Sequence, residues 1–339
     1  MKKNMTTRRP YVFIAVWIPT TIIVGWRILA GDHTFDSPFM WLNLLTLLIC
    51  TLILLWWLSY PLRDEPTDAV RTKWGRFLAV AVIAIAALFV LRTLTGPPLL
   101  FGLPVVAFAM LIFFRPSITR KEMLYALGLS LVAGIAGLGA QWVPFHPIVW
   151  SVLQVVLVST SLLTGWAILR RTGLLEQGIG YSRFLSEGTA SALRGFLQGM
   201  LLSLPWALGL VAMGGSDSET WARHWWQPLL AINPGIAEEA WGRMLLVPLL
   251  FLLLSRVSRP RRAFTVALII IGYWFAFLHT SGGVNGLFST IMMGTLYILP
   301  VSYICLYRDL ETAIGFHFWL DFVKFTAACL LNTGLWLNS

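Results

Sequence analysis

Charge is scarce in this chain. Asp, Glu, Lys and Arg make up 12% of its 339 residues, while hydrophobic residues make up 58%. A typical soluble domain carries about twice that charged share, so the composition points to a membrane protein. Cysteine is scarce as well. Cys50, Cys305 and Cys329 all fall within apolar segments, outside any CxxC or Cys/His spacing, which excludes a disulfide framework and a zinc–thiolate site. No small-residue cleavage site follows the first apolar run, which is therefore expected to be a retained span rather than a signal peptide. The apolar runs also lack the dyad alternation of an outer-membrane barrel. Because unpaired backbone groups cannot face lipid, the expected fold class is all-α, a polytopic integral membrane helical bundle.

Spans need about 20 apolar residues, and about eleven transmembrane helices are expected, at roughly 11–30, 39–60, 76–95, 98–114, 123–143, 147–169, 190–213, 228–255, 262–280, 286–307 and 312–336. The formal charge is +10, but the basic residues lie in short clusters between apolar runs. That is the arrangement of cytoplasmic loops, so the expected partner is the lipid bilayer and no nucleic acid. Lys2, Lys3, Arg8 and Arg9 precede the first span, and further clusters follow every second one: Arg63, Arg71 and Lys73; Arg115, Arg120 and Lys121; Arg170, Arg171 and Arg183; Arg256, Arg259, Arg261 and Arg262. The positive-inside rule then places the amino terminus in the cytoplasm and the carboxyl terminus outside.

Polar content divides the chain. Residues 1–185 form a six-span region with almost nothing ionisable inside its spans, no repeat and no visible chemistry. In residues 186–339, by contrast, Arg194, Glu238, Glu239, Arg243, His279, His317, Asp321 and Lys324 fall in or at the edges of spans. Ionisable groups there cost about 2.5–3.5 kcal/mol each at a helix centre, so they usually line a protein interior or an aqueous cavity and serve a function. Arg194 and Lys324 lie near helix ends, where they can snorkel. Trp221, Trp225 and Trp226 read as an interfacial belt.

The central stretch is Glu238-Glu239-Ala240-Trp241-Gly242-Arg243. On an α-helix Glu239 and Arg243 are i and i+4, within ion-pair reach, while Glu238 is turned about 100° away and left for chemistry. Asn233-Pro234 supplies a cap-and-first-turn signal, so the regular part of this helix is expected to start there. Phe275-x-x-x-His279 closes the following, antiparallel span and brings an imidazole near Glu238. Together they can deprotonate a water for attack on an amide. His317-x-x-x-Asp321 places a third pair on one helical face, able to orient the imidazole, bind an oxyanion or hold a metal. One conflict is visible. If the tenth segment is a full span, His317 and His279 differ in depth by on the order of 15 Å at 1.5 Å per residue. Either Gly282-Gly283 and Pro300 mark a broken or re-entrant tenth segment, or the ninth and eleventh helices sit differently.

Glu238-Glu239-x-x-x-Arg243, Phe275-x-x-x-His279 and His317-x-x-x-Asp321 resemble the three motifs of the CPBP (CAAX protease and bacteriocin-processing, or ABI) intramembrane proteases, over about residues 186–336. The resemblance implies a multi-pass peptidase of the bacterial cytoplasmic membrane acting on a peptide or lipid-modified protein substrate in the membrane. Glu238 and His279 would activate the water, and His317 and Asp321 would bind the oxyanion or orient its partner. Asp321 stands where the motif often has Asn, which removes a neutral donor and weakens the oxyanion role. Members of the family are described as metal-dependent, and Glu238, His279 and His317 could hold Zn²⁺ with an open water position. A metal-free glutamate mechanism uses the same residues, and an H-E-x-x-H helix is absent. Two other classes use the same polar residues: an ion-coupled transporter with a proton relay, against which stands the lack of an inverted repeat between the halves, and a catalytically silent scaffold.

Overall fold

A backbone that cannot reach water must bond to itself, and every regular element among the described residues of this protein is helical. The computed structural model describes residues 10–29, 38–58, 101–114, 118–141, 145–214, 219–280 and 284–334. The expected third span, the amino-terminal Lys and Arg residues, Arg63, Arg71, Lys73, Arg115 and Gly282-Gly283 lie outside them. Helices α1 (Pro10–Leu29), α2 (Pro38–Leu58), α3 (Leu103–Phe114), α4 (Arg120–Gly137), α5 (Pro147–Arg171), α6 (Arg183–Glu187) and α7 (Thr189–Ala212) come first. After them a 3-10 turn, Gln227–Ala231, leads into α8 (Ile232–Glu238), a π turn (Glu239–Leu245) and α9 (Leu246–Leu254). The chain returns as α10 (Pro260–Leu278). It then runs through α11 (Val284–Met293), a π turn (Gly294–Ile298), α12 (Leu299–Tyr303) and a second π turn (Ile304–Arg308), and ends with α13 (Leu310–Asn332).

In each expected span other than 76–95 the described residues are largely helical. Among the described residues five helices are long and apolar enough to cross a membrane: Pro147–Arg171, Thr189–Ala212, Pro260–Leu278, Gly286–Arg308 and Leu310–Asn332. Helix α4 is not among them; its first turn is Arg120, Lys121 and Glu122, closed by a capping box between Thr119 and Glu122.

Two expectations about local structure are corrected. Asn233 is not a cap: the chain is already helical from Gln227, and the Asn233 amide donates from Nδ2 to the Ala133 carbonyl of α4 at 2.8 Å. A buried amide does better by bonding across to a neighbouring helix end than by starting its own helix. The tenth segment is neither broken nor re-entrant at Pro300. Gly286–Arg308 is one span-length helix, with Pro300 at the start of α12 between two π turns.

The second alternative holds for the depth conflict: the ninth and eleventh helices sit so that His279 and His317 both reach Glu238, at 3.7 and 3.5 Å. Asp309 and Leu310 are buried, so α13 begins within the packed protein. Asp309 caps α13 by accepting from the Thr312 amide at 2.7 Å. Helix α13 lies along α7 with the two backbones touching. A Cβ on Gly199 would sit 2.0 Å from the Thr312 carbonyl oxygen, and one on Gly315 would sit 2.0 Å from that of Phe196. Small residues at a crossing let two membrane helices gain dispersion contact that lipid cannot replace. The same buried cluster includes Phe13, Leu47, Leu157 and Trp166 from the leading helices and Phe275, Leu306 and Phe316 from the later ones. The two regions divided by polar content are thus packed on a common core.

Candidate active site

Glu238 ends α8, and the π turn that follows carries Glu239 and Arg243. A π turn widens the helix and recurs at functional sites, because it re-aims side chains that an α-helix would hold in register. Here it brings the Arg243 side chain back along its own helix. Its Nη1 donates to the Glu238 main-chain carbonyl at 3.1 Å and lies 3.3 Å from Glu239 Oε1, and its Nε donates to Ser302 Oγ at 3.3 Å. The guanidinium also lies over the Phe275 ring, 4.2 Å from its centroid. Arg243 and Glu239 are both fully buried, and together they form the floor of the site.

Two histidines stand on that floor. His317, in the third turn of α13, points Nδ1 at Glu239 Oε1, 2.8 Å away. His279, just past the end of α10, points Nδ1 at the Phe275 carbonyl, 2.9 Å away. An ionised carboxylate and a carbonyl only accept, so both Nδ1 atoms carry the proton and donate. The Nε2 atom is then an acceptor in the neutral ring and a donor in the imidazolium. Both Nε2 atoms face Glu238: His279 Nε2 is 3.7 Å from Oε1, and His317 Nε2 is 3.5 Å from Oε2. Asp321 Oδ2 lies 3.5 Å from His317 Nε2 on the other side.

This arrangement has a chemical consequence. Acceptors that face one another at 3.5–3.7 Å are too far apart for direct hydrogen bonds and need a proton donor among them, either an imidazolium proton or a water. The site is built to hold a proton source against Glu238. Access is graded: the side chain of His279 is 36% exposed, Glu238 18%, Asp321 16% and His317 11%. His279 therefore forms the open edge.

The structure brings all four candidate catalytic residues together, with Glu239 and Arg243 beneath them. The donor chemistry of Glu238, His279 and His317 suits a divalent cation, since each imidazole is anchored through its second nitrogen in the way metal-binding histidines are. Among the described residues, however, no group of three His, Cys, Asp or Glu placed to hold a metal ion is found.

Phe275, which opens the second motif, has two tasks, its ring covering Arg243 and its carbonyl fixing His279. Two further contributors, Ser302 and Glu219, belong to no motif. Ser302 accepts from Arg243 and donates to the Ile298 carbonyl at 2.7 Å; an isolated Ser in an apolar run gives no comparable signal. Glu219 holds Lys324 at 2.8 Å, and Lys324 in turn lies 3.7 Å from Asp321. Of the expected belt, Trp225 is exposed, while Trp221 packs edge-on against Phe325. No family model, no curated protein and no solved structure matches this chain.

Proposed function

We propose that this protein is an intramembrane endopeptidase of the CPBP type, hydrolysing a peptide bond of a membrane-associated or lipid-modified substrate. The observation that carries the reading is the placement of both carboxylate oxygens of Glu238 opposite the Nε2 atoms of His279 and His317. Glu238, with His279 at the open edge, takes a proton from water as the water oxygen adds to the carbonyl carbon. The same proton passes to the leaving amine nitrogen as the C–N bond breaks. His317, held through Nδ1 by Glu239 and flanked by Asp321, faces the developing oxyanion as an imidazolium. Arg243 holds the Glu239 carboxylate in place.

The accompanying topology is about eleven crossings with the amino terminus in the cytoplasm, supported by the basic residues Arg120, Lys121, Arg170 and Arg171 at one end of the helices and Arg259 to Arg262 at the start of α10. In this topology Arg120→Cys and Thr220→Cys label from opposite sides of the membrane.

The decisive experiment compares detergent-purified wild type with Glu238→Gln on a library of peptides and lipopeptides, with metal content and thermal stability measured alongside. Cleavage by wild type that disappears in the variant at unchanged stability supports the protease. Equal cleavage by both would remove Glu238 from the chemistry. One observation favours a second reading. Glu219, Lys324, Asp321, His317, Glu239 and Arg243 form a row of facing polar groups with steps of 2.8, 3.7, 3.5, 2.8 and 3.3 Å, which with a water bridging the two widest steps has the form of a proton relay. Proton uptake by proteoliposomes that is lost in Asp321→Asn, without any peptide cleavage, would select the carrier.

A further inference from the structure

A second polar cluster lies at the opposite end of α13, away from the candidate active site. Gln198 of α7 accepts on one oxygen from two arginines, Arg308 Nη2 at 2.8 Å and Arg183 Nη2 at 3.2 Å. Both guanidinia share a single carboxylate: Arg183 Nε is 2.8 Å from Asp309 Oδ2, and Arg308 Nε is 3.7 Å from the same atom. One turn before Gln198, Arg194 is exposed and has no ion pair within 4 Å among the described residues. Two other acids are near. Glu187, which acts on Arg194 only from farther away, accepts from the Tyr181 hydroxyl at 2.8 Å and from the Ser191 hydroxyl, and Glu311 accepts from the Arg183 and Phe184 amides at 2.9 and 3.0 Å. Each carboxylate is thus engaged by nearer donors, and of the three guanidinia Arg194 is the one left open to solvent and without a close anion.

Beside the exposed Arg194 guanidinium runs an open groove of about 380 Å³ on the outer face of α7, lined by Leu193, Arg194, Leu197, Gln198 and Leu201. Leu193, Leu197 and Leu201 are each more than half exposed and stand one above the other at successive turns. The stripe runs ~12 Å along the helix, the length of part of an acyl chain. It belongs to a helix long and apolar enough to cross a membrane, Thr189–Ala212, with the arginines at its basic end. An apolar stripe in the hydrocarbon, headed by an exposed guanidinium without a close anion, matches one molecule at both ends: an anionic phospholipid, with its phosphate on Arg194 and its tail along the leucines.

We propose that this groove is a binding site for an anionic phospholipid of the adjacent leaflet. A soluble phosphate would use the arginines and leave the leucines bare. A zwitterionic lipid would cover the leucines and bring its own cation to the arginines. Only the anionic lipid satisfies both halves. The site rests on the membrane-spanning character of α7 and is independent of the protease reading.

The test is native mass spectrometry of the detergent-purified full chain, titrated with phosphatidylglycerol and, separately, with phosphatidylcholine of the same acyl chains. Wild type should retain phosphatidylglycerol in preference. Arg194→Gln, at an exposed position that leaves the fold alone, should weaken phosphatidylglycerol by about fivefold and leave phosphatidylcholine unchanged. Leu197→Trp, which fills the groove and keeps the charge, should weaken both lipids. Equal retention of the two lipids by wild type would overturn the proposal, as would unaltered phosphatidylglycerol binding in either variant. Displacement of bound lipid by millimolar glycerol phosphate would also overturn it, since it would show the headgroup alone to be the ligand.

Discussion

Near the start of α13, Glu311 accepts four hydrogen bonds between 2.6 and 3.0 Å, from the Ser182 and Tyr125 hydroxyls and the Arg183 and Phe184 amides. Some two to three turns along the same helix, Asp321 and the facing Glu238 have no contact closer than 3.5 Å to the imidazoles around them. Both regions place carboxylates inside an apolar bundle, but the first saturates them and the second does not. A carboxylate that accepts four hydrogen bonds holds helices together, here α4, α6 and α13. A carboxylate whose neighbours stand at loose distances leaves room for a water or a substrate group between them. The contrast distinguishes a packed carboxylate from an open one, and it can be broken by substitution.

The largest effect should come from Glu238→Gln. Losing the base at the reacting water should lower turnover by about 10²- to 10⁴-fold, while the thermal midpoint stays at the wild-type value, because no short hydrogen bond is lost. Turnover measured on a cleaved library member together with a detergent melt decides this. Glu311→Ala should show the reverse behaviour. It leaves four buried donors without their acceptor, which should cost about 3–5 kcal/mol and cut the yield of folded protein, while turnover per folded molecule changes little. If Glu311→Ala lowered turnover at full stability instead, the distinction between the two regions would fail.

Glu239 lies between these extremes. It is buried with Arg243 yet also fixes the tautomer and orientation of His317 through Nδ1. Glu239→Gln should therefore affect both readouts: an amide can still accept from one of the two partners but no longer neutralises the pair. The expected loss in turnover is about 10- to 100-fold, the usual cost of removing a carboxylate behind a functional imidazole, with a measurable drop in midpoint. A loss in midpoint alone would make Glu239 purely a scaffold residue.

How much of this was legible in the sequence follows from the range of the interactions. Helix positions were readable because bilayer thickness forces long apolar runs, and the site residues were readable because an ionisable group within such a run is costly enough to be informative. The π turn at Glu239–Leu245 was not, since an i, i+4 reading assumes an α-helix and the widening is settled by tertiary neighbours such as the Phe275 ring over Arg243. Asn233 was misread as a cap for a similar reason: its partner, Ala133, lies a hundred residues away in sequence. Glu311 and Asp309 carried no signal, because a carboxylate next to a loop looks solvated until α13 is found to start inside the protein. The Gly195-x-x-x-Gly199 spacing on α7 was a readable small-residue signal for the close crossing with α13.

The smallest effect should come from Lys324→Met, and it sharpens the boundary of the site. Lys324 sits between Glu219 at 2.8 Å and Asp321 at 3.7 Å, with a fifth of its side chain exposed. A pair with this access to solvent contributes about 1 kcal/mol or less. If Lys324 only balances charge at the rim, its removal should shift the midpoint by that amount and leave turnover within about fivefold of wild type. The exposed edge of the site is formed by His279, on another helix. A hundredfold fall in turnover at constant midpoint would instead place the ammonium on the reacting side, as the cation that meets the developing oxyanion in place of His317. Measuring kcat and KM separately makes the distinction firm, because a charge acting only on substrate approach changes KM and a charge acting on the oxyanion changes kcat.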